Sequence, residues 1–327
     1  MSFDNLNTES IKKANLAAMI LFTVIALALT VFIPFLNFLS LAFLSVPAAM
    51  LMVSRRVRDA VICAFAGIIL LYIFNYILAT VLLVIVLAIS FNYRYIVSKD
   101  KETSFALLSI FAIFVLSAAL FILVAAIESR QNIVTEALSE YYKYVDNLAQ
   151  DPVVKNYQSL LLIDSNQFSA LIGQTQAVLR YIPKLVPSFL LVYFGAVSIF
   201  NYYFSYLFFK RYGISLKSLP AFKDWDLPWF FCWGIIIGII LIIIPQFNRT
   251  FYTVMYAIGL NLIIVFGFLY LILGASVLWG LFERINFKSF WRYVILIFIF
   301  LTPGLILLLP VLGLIDIWAN VRKLKRT

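Results

Sequence analysis

Few residues of this sequence could act on a ligand, and three of them are neutral amides inside long apolar runs. Asn75, Asn201 and Asn261 each lie in an uncharged stretch. A polar side chain at membrane depth is costly, so such a residue marks a candidate site. Each amide both donates and accepts hydrogen bonds, which suits a neutral polar solute as ligand. The alternative interpretation is that each amide bridges two helices and binds no solute.

The sequence lacks the residues of most catalytic and metal sites. It contains no histidine, which excludes imidazole metal sites, histidine bases and histidine-ligated haem. Its two cysteines, Cys63 and Cys232, lie in apolar runs and predict buried thiols without a disulfide framework. There is no phosphate-binding loop, no Gly-x-Ser-x-Gly and no Cys-x-x-Cys. We therefore expect a protein that is not an enzyme and has no cofactor or metal.

The composition places these residues in a membrane. Hydrophobic residues make up 64% of the chain and charged residues 12%, whereas soluble domains are about 45–50% apolar and about 25% charged. The uncharged runs cover 14–36, 37–54, 60–93, 103–127, 185–209, 227–248, 250–282 and 293–315. Most of them approach or exceed the ~20 residues that a spanning helix needs, and none alternates as a barrel strand would. The predicted fold class is an all-α, polytopic transmembrane helical bundle.

The positions of lysine and arginine predict the orientation. Most of these 25 residues fall in six clusters, at 12–13, 55–58, 94–101, 210–223, 284–292 and 322–326. Such loops stay cytoplasmic. The run 60–93 must then be a hairpin, turning near residues 74–76, and the N-terminus lies inside. The last run contains Thr302-Pro303-Gly304, so it is either a hairpin returning inside or one helix with an outer tail. Nine or ten crossings of the membrane follow.

One long polar segment interrupts the apolar runs. Its near-neutral charge balance fits the outer side of the membrane. Ala137, Tyr141 and Val145 share one helical face, and Ser165 is a suitable cap for a second helix. We expect an outer helical insert, either a spacer resting on lipid or a lid over a cavity. The predicted regions are 1–128 with five membrane helices, the insert 129–182, and 183–327 with a basic cytoplasmic tail.

Small residues mark the expected contacts between helices. Gly234 and Gly238 are four positions apart, which lets another backbone approach closely, and Gly274 adds a further small residue. Ala14 and Ala18 have the same spacing at the start of the first span. We expect packing roles for all five, and the alanine pair is also a candidate for docking a partner helix.

A cytoplasmic loop is the second candidate docking surface. It contains Phe222 and Trp225 between Pro220 and Pro228. Because proline restricts its own backbone and that of the preceding residue, this loop should be ordered. Anionic lipid headgroups alone explain the basic charge around it. The aromatic side chains favour docking of a protein.

Three stretches of the sequence carry a resemblance to a known family. They are Phe-Lys-Arg-Tyr-Gly at 209–213, Leu-Pro-Ala-Phe-Lys-Asp-Trp-Asp-Leu-Pro at 219–228, and Gly-Leu-Ile-Asp-Ile-Trp-Ala-Asn-Val-Arg-Lys at 313–323. With the layout of spans, they resemble the YybS-like family of bacterial membrane proteins of unknown function, over essentially the whole chain. That family is similar at fold level to substrate-binding subunits of energy-coupling-factor vitamin transporters and to MreD-type envelope proteins. In the transporter subunits an Ala-x-x-x-Ala helix contacts the coupling subunit, and Ala14 and Ala18 match that spacing.

Two functions remain open at this point. The leading hypothesis is a protein that binds or helps move a small solute, with any ATP hydrolysis supplied by a transporter module as partner. The alternative is a non-transporting envelope scaffold that recruits wall or division proteins. The expected partners are the lipid bilayer, a membrane protein or ATPase-bearing module, and a small solute, with no nucleic acid.

Overall fold

The computed structural model describes residues 15–129, 133–161, 164–243 and 252–324. All of the regular elements in these ranges are helices, as the composition predicts. They are α1 (Leu16–Phe32), α2 (Asn37–Leu44), α3 (Val46–Val53), α4 (Val57–Phe74), α5 (Tyr76–Ser98), α6 (Thr103–Ser129), α7 (Ile133–Asp146), α8 (Pro152–Leu161), α9 (Ser165–Leu179), α10 (Ile182–Arg211), α11 (Cys232–Ile243), α12 (Tyr252–Arg284), α13 (Ser289–Leu301), α14 (Pro303–Ile306) and α15 (Leu308–Ala319).

The described helices do not support nine or ten crossings. Five of them, α4, α5, α6, α10 and α12, are long and apolar enough to span a membrane, and a sixth span results if α13 to α15 count as one. The apolar helices Leu16–Phe32, Asn37–Val53 and Trp229–Ile243 are shorter. A helix of 17 residues is about 26 Å long, less than the ~30 Å of the hydrocarbon layer. The number predicted from sequence is higher because it counts the three runs that contain these shorter helices and allows two further runs to be hairpins.

A compact unit, called unit 1 here, comprises the described residues up to Gln176 together with Tyr193–Leu219. At its centre every residue of α3 is buried, since the sequence Val-Pro-Ala-Ala-Met-Leu-Met-Val offers no polar side chain. Helices α4 and α5 pack against α3. A core helix of eight residues therefore occupies what the sequence suggested was part of a span.

Helices α4 and α5 divide the long run 60–93 where the sequence predicts a turn. Asn75 ends α4 in an extended conformation and caps α5, because its Oδ1 accepts a hydrogen bond from the Leu78 N–H at 2.9 Å. The two helices pack against each other. The Asn75 side chain therefore caps the helix that follows the turn between α4 and α5.

The outer segment contains one more helix than its sequence pattern predicts. The additional helix is α8, which begins at Pro152 because proline is tolerated in the first turn of a helix. Val145 and Ile172 are buried, and the Gln176 Nε2 donates to the Val145 carbonyl at 2.9 Å, which fixes α9 against the end of α7. Much of the remaining surface of these helices is exposed.

A second compact unit, unit 2, comprises Ala177–Val192 and the described residues from Pro220 onward. The boundaries between the two units fall after Gln176, after Val192 within α10, and after Leu219. The regions predicted from the sequence divide membrane segments from the outer segment by polarity, whereas the two compact units are defined by packing contacts.

Glycines bring three helices of unit 2 together. A Cβ at Gly259 would lie 2.7 Å from the Gly238 carbonyl oxygen, so α11 and α12 meet backbone to backbone. A Cβ at Gly274 would overlap the Leu309 carbonyl, and one at Gly313 would lie 2.5 Å from the Tyr270 carbonyl oxygen. Contacts this close leave no room for a larger residue, so α12 is held directly by α11 on one side and α15 on another.

The last apolar run is bent through 101° at Thr302 and Pro303. Pro303 has no backbone N–H, so it cannot continue the hydrogen bonds of α13. Arg292, beside the start of α13, lies 3.5 Å from the Glu283 carboxylate near the end of α12, and Arg322, beyond α15, bonds to Ser276 on the same helix. Both ends of the bent run thus lie near the C-terminal end of α12, which favours a hairpin over a single crossing.

Candidate functional site

A buried ion pair in unit 2 joins α15 to the segment that follows it. The Asp316 side chain is fully buried, and that of Arg322 is 4% exposed. The Arg322 Nε and Nη2 both donate to Asp316 Oδ2, at 3.0 and 2.9 Å. Two bonds to one carboxylate make this a charge-assisted pair with fixed geometry. It anchors the C-terminal segment to the helix that precedes it.

Arg322 also fixes the predicted docking loop. Its Nη1 donates to the carbonyls of Lys223 and Trp225, at 2.7 and 2.8 Å, and to the Ser276 hydroxyl at 2.8 Å. Ser276 in turn donates to the Phe222 carbonyl at 2.6 Å. The Arg322 guanidinium therefore joins the loop, α12 and the C-terminal segment. It is also the hydrogen-bond donor for two backbone carbonyls of the loop.

The aromatic side chains of the loop make contacts within unit 2. The Phe222 ring packs edge-on against Trp225 and Trp279, with centroids 5.3 and 6.2 Å apart. The Trp225 Nε1 donates to the Pro220 carbonyl at 3.1 Å. Both residues are half-buried. The loop thus has defined contacts within unit 2, while its order and its docking of a partner stay predictions.

A second set of charges lies beside the first. The Lys223 Nζ donates to Glu283 at 2.5 Å, and Arg292 lies 3.5 Å from the other Glu283 oxygen. The hydrogen bond to Glu283 raises the pKa of Lys223 above its ordinary value, so this lysine is charged at neutral pH. The Arg292 guanidinium also lies over the Trp279 ring, 5.6 Å from its centroid.

These groups border a cavity of about 310 Å³. It is lined by Lys223, Asp224, Gly280, Glu283, Arg284, Arg322 and Leu324. Lys223 is paired with Glu283, and Arg322 with Asp316. Among the described residues, Arg284 and Asp224 have no hydrogen bond or ion pair through their side chains, although the Asp224 charge acts on Lys223. The cavity therefore offers one uncommitted cation and one uncommitted anion.

Exposed aromatic side chains surround this end of unit 2. Trp229, Trp291 and Trp318, at ends of α11, α13 and α15, are 64%, 51% and 63% exposed. Tryptophan concentrates at the level of the lipid headgroups. We therefore expect the cavity to open at the interface between membrane and water.

The three amides that the sequence singles out are bonded to protein. In unit 1 the Asn201 Nδ2 donates to the Ala42 carbonyl at 2.6 Å and to Ser45, while its Oδ1 accepts from the Tyr93 hydroxyl at 3.0 Å. The side chain is fully buried. Asn75 caps α5, as described above. The helix-bridging interpretation accounts for Asn201.

Asn261, in unit 2, bonds to backbone groups of a neighbouring helix. Its Nδ2 donates to the Lys184 carbonyl at 2.7 Å, and its Oδ1 accepts from the Ser188 N–H at 2.8 Å. These bonds supply partners to the backbone of α10 near Pro187, which has no N–H of its own. The hydrogen-bonding groups of this amide are thus used within unit 2.

The small residues of the sequence motifs occupy different environments. Gly234 faces the Phe266 ring, and Gly238 and Gly274 meet backbone, as described above. Ala18 is half-buried on α1. Ala14 lies outside the described residues, so the structure gives no position for the alanine pair as a whole.

Only part of the polar site could be identified from the sequence. Asp316 and Ser276 stand out as polar residues in apolar runs, but Arg322 is one member of a basic cluster. Its partners in the loop are 97 and 99 positions away, and no local pattern identifies so distant a pairing. Within the described ranges, no group of histidine, cysteine, aspartate or glutamate could hold a metal ion.

Comparison with known proteins identifies a family. No curated protein and no solved structure matches the chain. A family model for predicted membrane proteins, DUF2232, matches residues 20–317, which is most of the chain and agrees with its apolar helices. The chain therefore belongs to the DUF2232 family of predicted membrane proteins.

Proposed function

We propose that this DUF2232 protein binds a small polar solute in the cavity of unit 2 and carries out no chemistry on it. The observation that supports this proposal is the cavity itself, about 310 Å³ in volume and lined by charged side chains. Pockets for small molecules begin at about 300 Å³. The buried pair of Arg322 and Asp316 gives this cavity a rigid wall, and rigid walls reduce the entropy lost on binding.

The proposal keeps solute binding but moves it from the amides to the charged cavity. Asn75, Asn201 and Asn261 use hydrogen bonds within the protein, so they offer less to a solute than Arg284 and Asp224 do. In this proposal the cavity lies at the cytoplasmic face of a bacterial cytoplasmic membrane. Its basic loops support that orientation.

Transport would need a partner in this proposal. The sequence has no phosphate-binding loop, so energy from ATP would come from a separate module. The helix with Ala14 and Ala18 is the proposed contact with that module, by its resemblance to the energy-coupling-factor subunits. The YybS-like assignment is part of the same proposal.

Gly280 provides a direct test of the cavity. A Cβ at this position would meet Arg322 Cδ at 3.4 Å and Lys223 Cβ at 3.7 Å, which are ordinary contacts. Gly280→Ala should therefore be tolerated, whereas the longer side chain of Gly280→Leu should fill the cavity. Native mass spectrometry of the full chain in mild detergent should show a retained small molecule in wild type and Gly280→Ala, and none in Gly280→Leu. A wild-type mass equal to the polypeptide alone would contradict the proposal.

An envelope scaffold is the second candidate function. Exposed apolar side chains on the predicted outer segment favour it, including Val153, Leu171 and Val178 at 61%, 52% and 66% exposure. Such residues suit contact with another protein or with lipid. A co-purifying protein without a retained small molecule, lost on deletion of residues 131–180, would support the scaffold over solute binding.

A further inference from the structure

We infer that the ligand of the unit 2 cavity is a zwitterion that carries a phosphate and a primary ammonium group. This inference rests on the proposed function and specifies its ligand. The candidate recognition residues are Arg284 for the phosphate and Asp224 for the ammonium, both in the lining of one cavity.

The charge pairing around the cavity supports a zwitterion. Lys223 and Arg292 pair with Glu283, at 2.5 and 3.5 Å. Arg322 pairs with Asp316 at 2.9 Å and lies 3.6 Å from Asp226. These three positive and three negative charges balance within the protein. Arg284 and Asp224 then remain, one of each sign. A simple anion would be repelled by Asp224 and a simple cation by Arg284, whereas a zwitterion satisfies both.

The chemistry of the two residues fits the two groups. A guanidinium binds phosphate through paired hydrogen bonds, and a carboxylate accepts hydrogen bonds from an ammonium. Arg322 cannot take the place of Arg284, because its guanidinium is bonded to Asp316, to Ser276 and to two loop carbonyls.

The position of the cavity also supports this ligand class. Exposed tryptophans at the ends of α11, α13 and α15 place the opening at headgroup level. A phosphate and an ammonium together occur there in ethanolamine phospholipids, and the same pair of groups occurs in free phosphoethanolamine. The two sources share one chemistry, so the experiment must include both.

The test compares matched probes on the full chain in a nonionic detergent. O-phosphoethanolamine and ethyl phosphate differ only in the ammonium group, and dihexanoyl phosphatidylethanolamine is the lipid form. Isothermal titration should give roughly tenfold tighter binding of phosphoethanolamine than of ethyl phosphate. Asp224→Asn should abolish this preference, Arg284→Gln should weaken both probes about tenfold, and Lys288→Gln, which removes an exposed charge outside the lining, should change neither.

Each outcome decides a separate point. Binding of the lipid form alone identifies a lipid headgroup as the source, and binding of both forms admits the free solute. An unchanged preference in Asp224→Asn, or no binding of any probe to wild type, overturns the inference. The proposed function then still depends on the separate Gly280→Leu measurement, because a retained molecule lost in that variant establishes solute binding whatever its charge.

Discussion

At the scale of single residues, the pair of Arg322 and Asp316 has the largest expected effect on stability. Removing one partner of a buried ion pair typically costs about 3–5 kcal/mol, because the other charge stays buried without compensation. Arg322→Gln also leaves the carbonyls of Lys223 and Trp225 without their donor.

We therefore expect Arg322→Gln to lower the Tm of the purified protein clearly. Lys323→Gln is the matched control, since the neighbouring lysine is exposed and loses the same charge. Tryptophan fluorescence during heating in detergent measures both variants. Equal Tm values for Arg322→Gln and Lys323→Gln would show that the pair does not stabilise the fold.

A second residue-scale prediction separates the two amides of unit 1. Asn201→Ala removes the partners of the Tyr93 hydroxyl and the Ala42 carbonyl in a fully buried site, and each group left unpaired there costs about 1–3 kcal/mol. Asn75→Ala removes one helix cap at an exposed turn, which costs about 0.5–2 kcal/mol. The Tm should fall further in Asn201→Ala, with the mass retained in native mass spectrometry unchanged in both. Loss of a retained molecule in either variant would identify the substituted asparagine as a ligand-binding residue.

At the scale of helices, the glycines of α12 offer a matched comparison on one element. A Cβ at Gly274 would overlap the Leu309 backbone, whereas one at Gly267 would meet nothing within 4 Å. Gly274→Ala should therefore force α12 and α15 apart, at a cost of about 1–3 kcal/mol for overpacking. Gly267→Ala should be neutral or slightly stabilising, since alanine is the better helix former. Thermal unfolding in detergent measures the difference, and a Gly274→Ala variant as stable as Gly267→Ala would mean that α15 does not pack on α12 in solution.

The sequence was most informative about which segments are helical and least informative about how they combine. Apolar runs predict helices because a backbone in lipid must satisfy its own hydrogen bonds, and the structure breaks the run 60–93 at Asn75, near the predicted turn. The described helices give five or six candidate spans rather than nine or ten, partly because helix α3, fully apolar, lies in the core of unit 1. The polar site could not be assembled from sequence, since Arg322 joins segments almost a hundred residues apart.

At the scale of the whole molecule, the re-entrant arrangement of the last run decides where the tail lies. Arg292 and Arg322 both contact residues near the end of α12. The tail and the loop after α12 should then lie on the same side of the membrane as each other. The basic clusters at 94–101 and 210–223 predict that this side is cytoplasmic, whereas one continuous crossing would place the tail outside.

Labelling of single cysteines in whole cells tests this arrangement. In a Cys63→Ala and Cys232→Ala background, Ser98→Cys and Ser218→Cys should resist an impermeant thiol reagent, and Asn156→Cys should react, because the outer segment lacks the basic excess of cytoplasmic loops. Lys323→Cys is the decisive position: protection together with Ser218→Cys supports the re-entrant hairpin, and labelling together with Asn156→Cys requires the last run to cross the membrane. All four cysteines should react after the cells are permeabilised, which controls for buried thiols. Labelling at Ser98→Cys with protection at Asn156→Cys would reverse the orientation, and the cavity of unit 2 would then open to the outside.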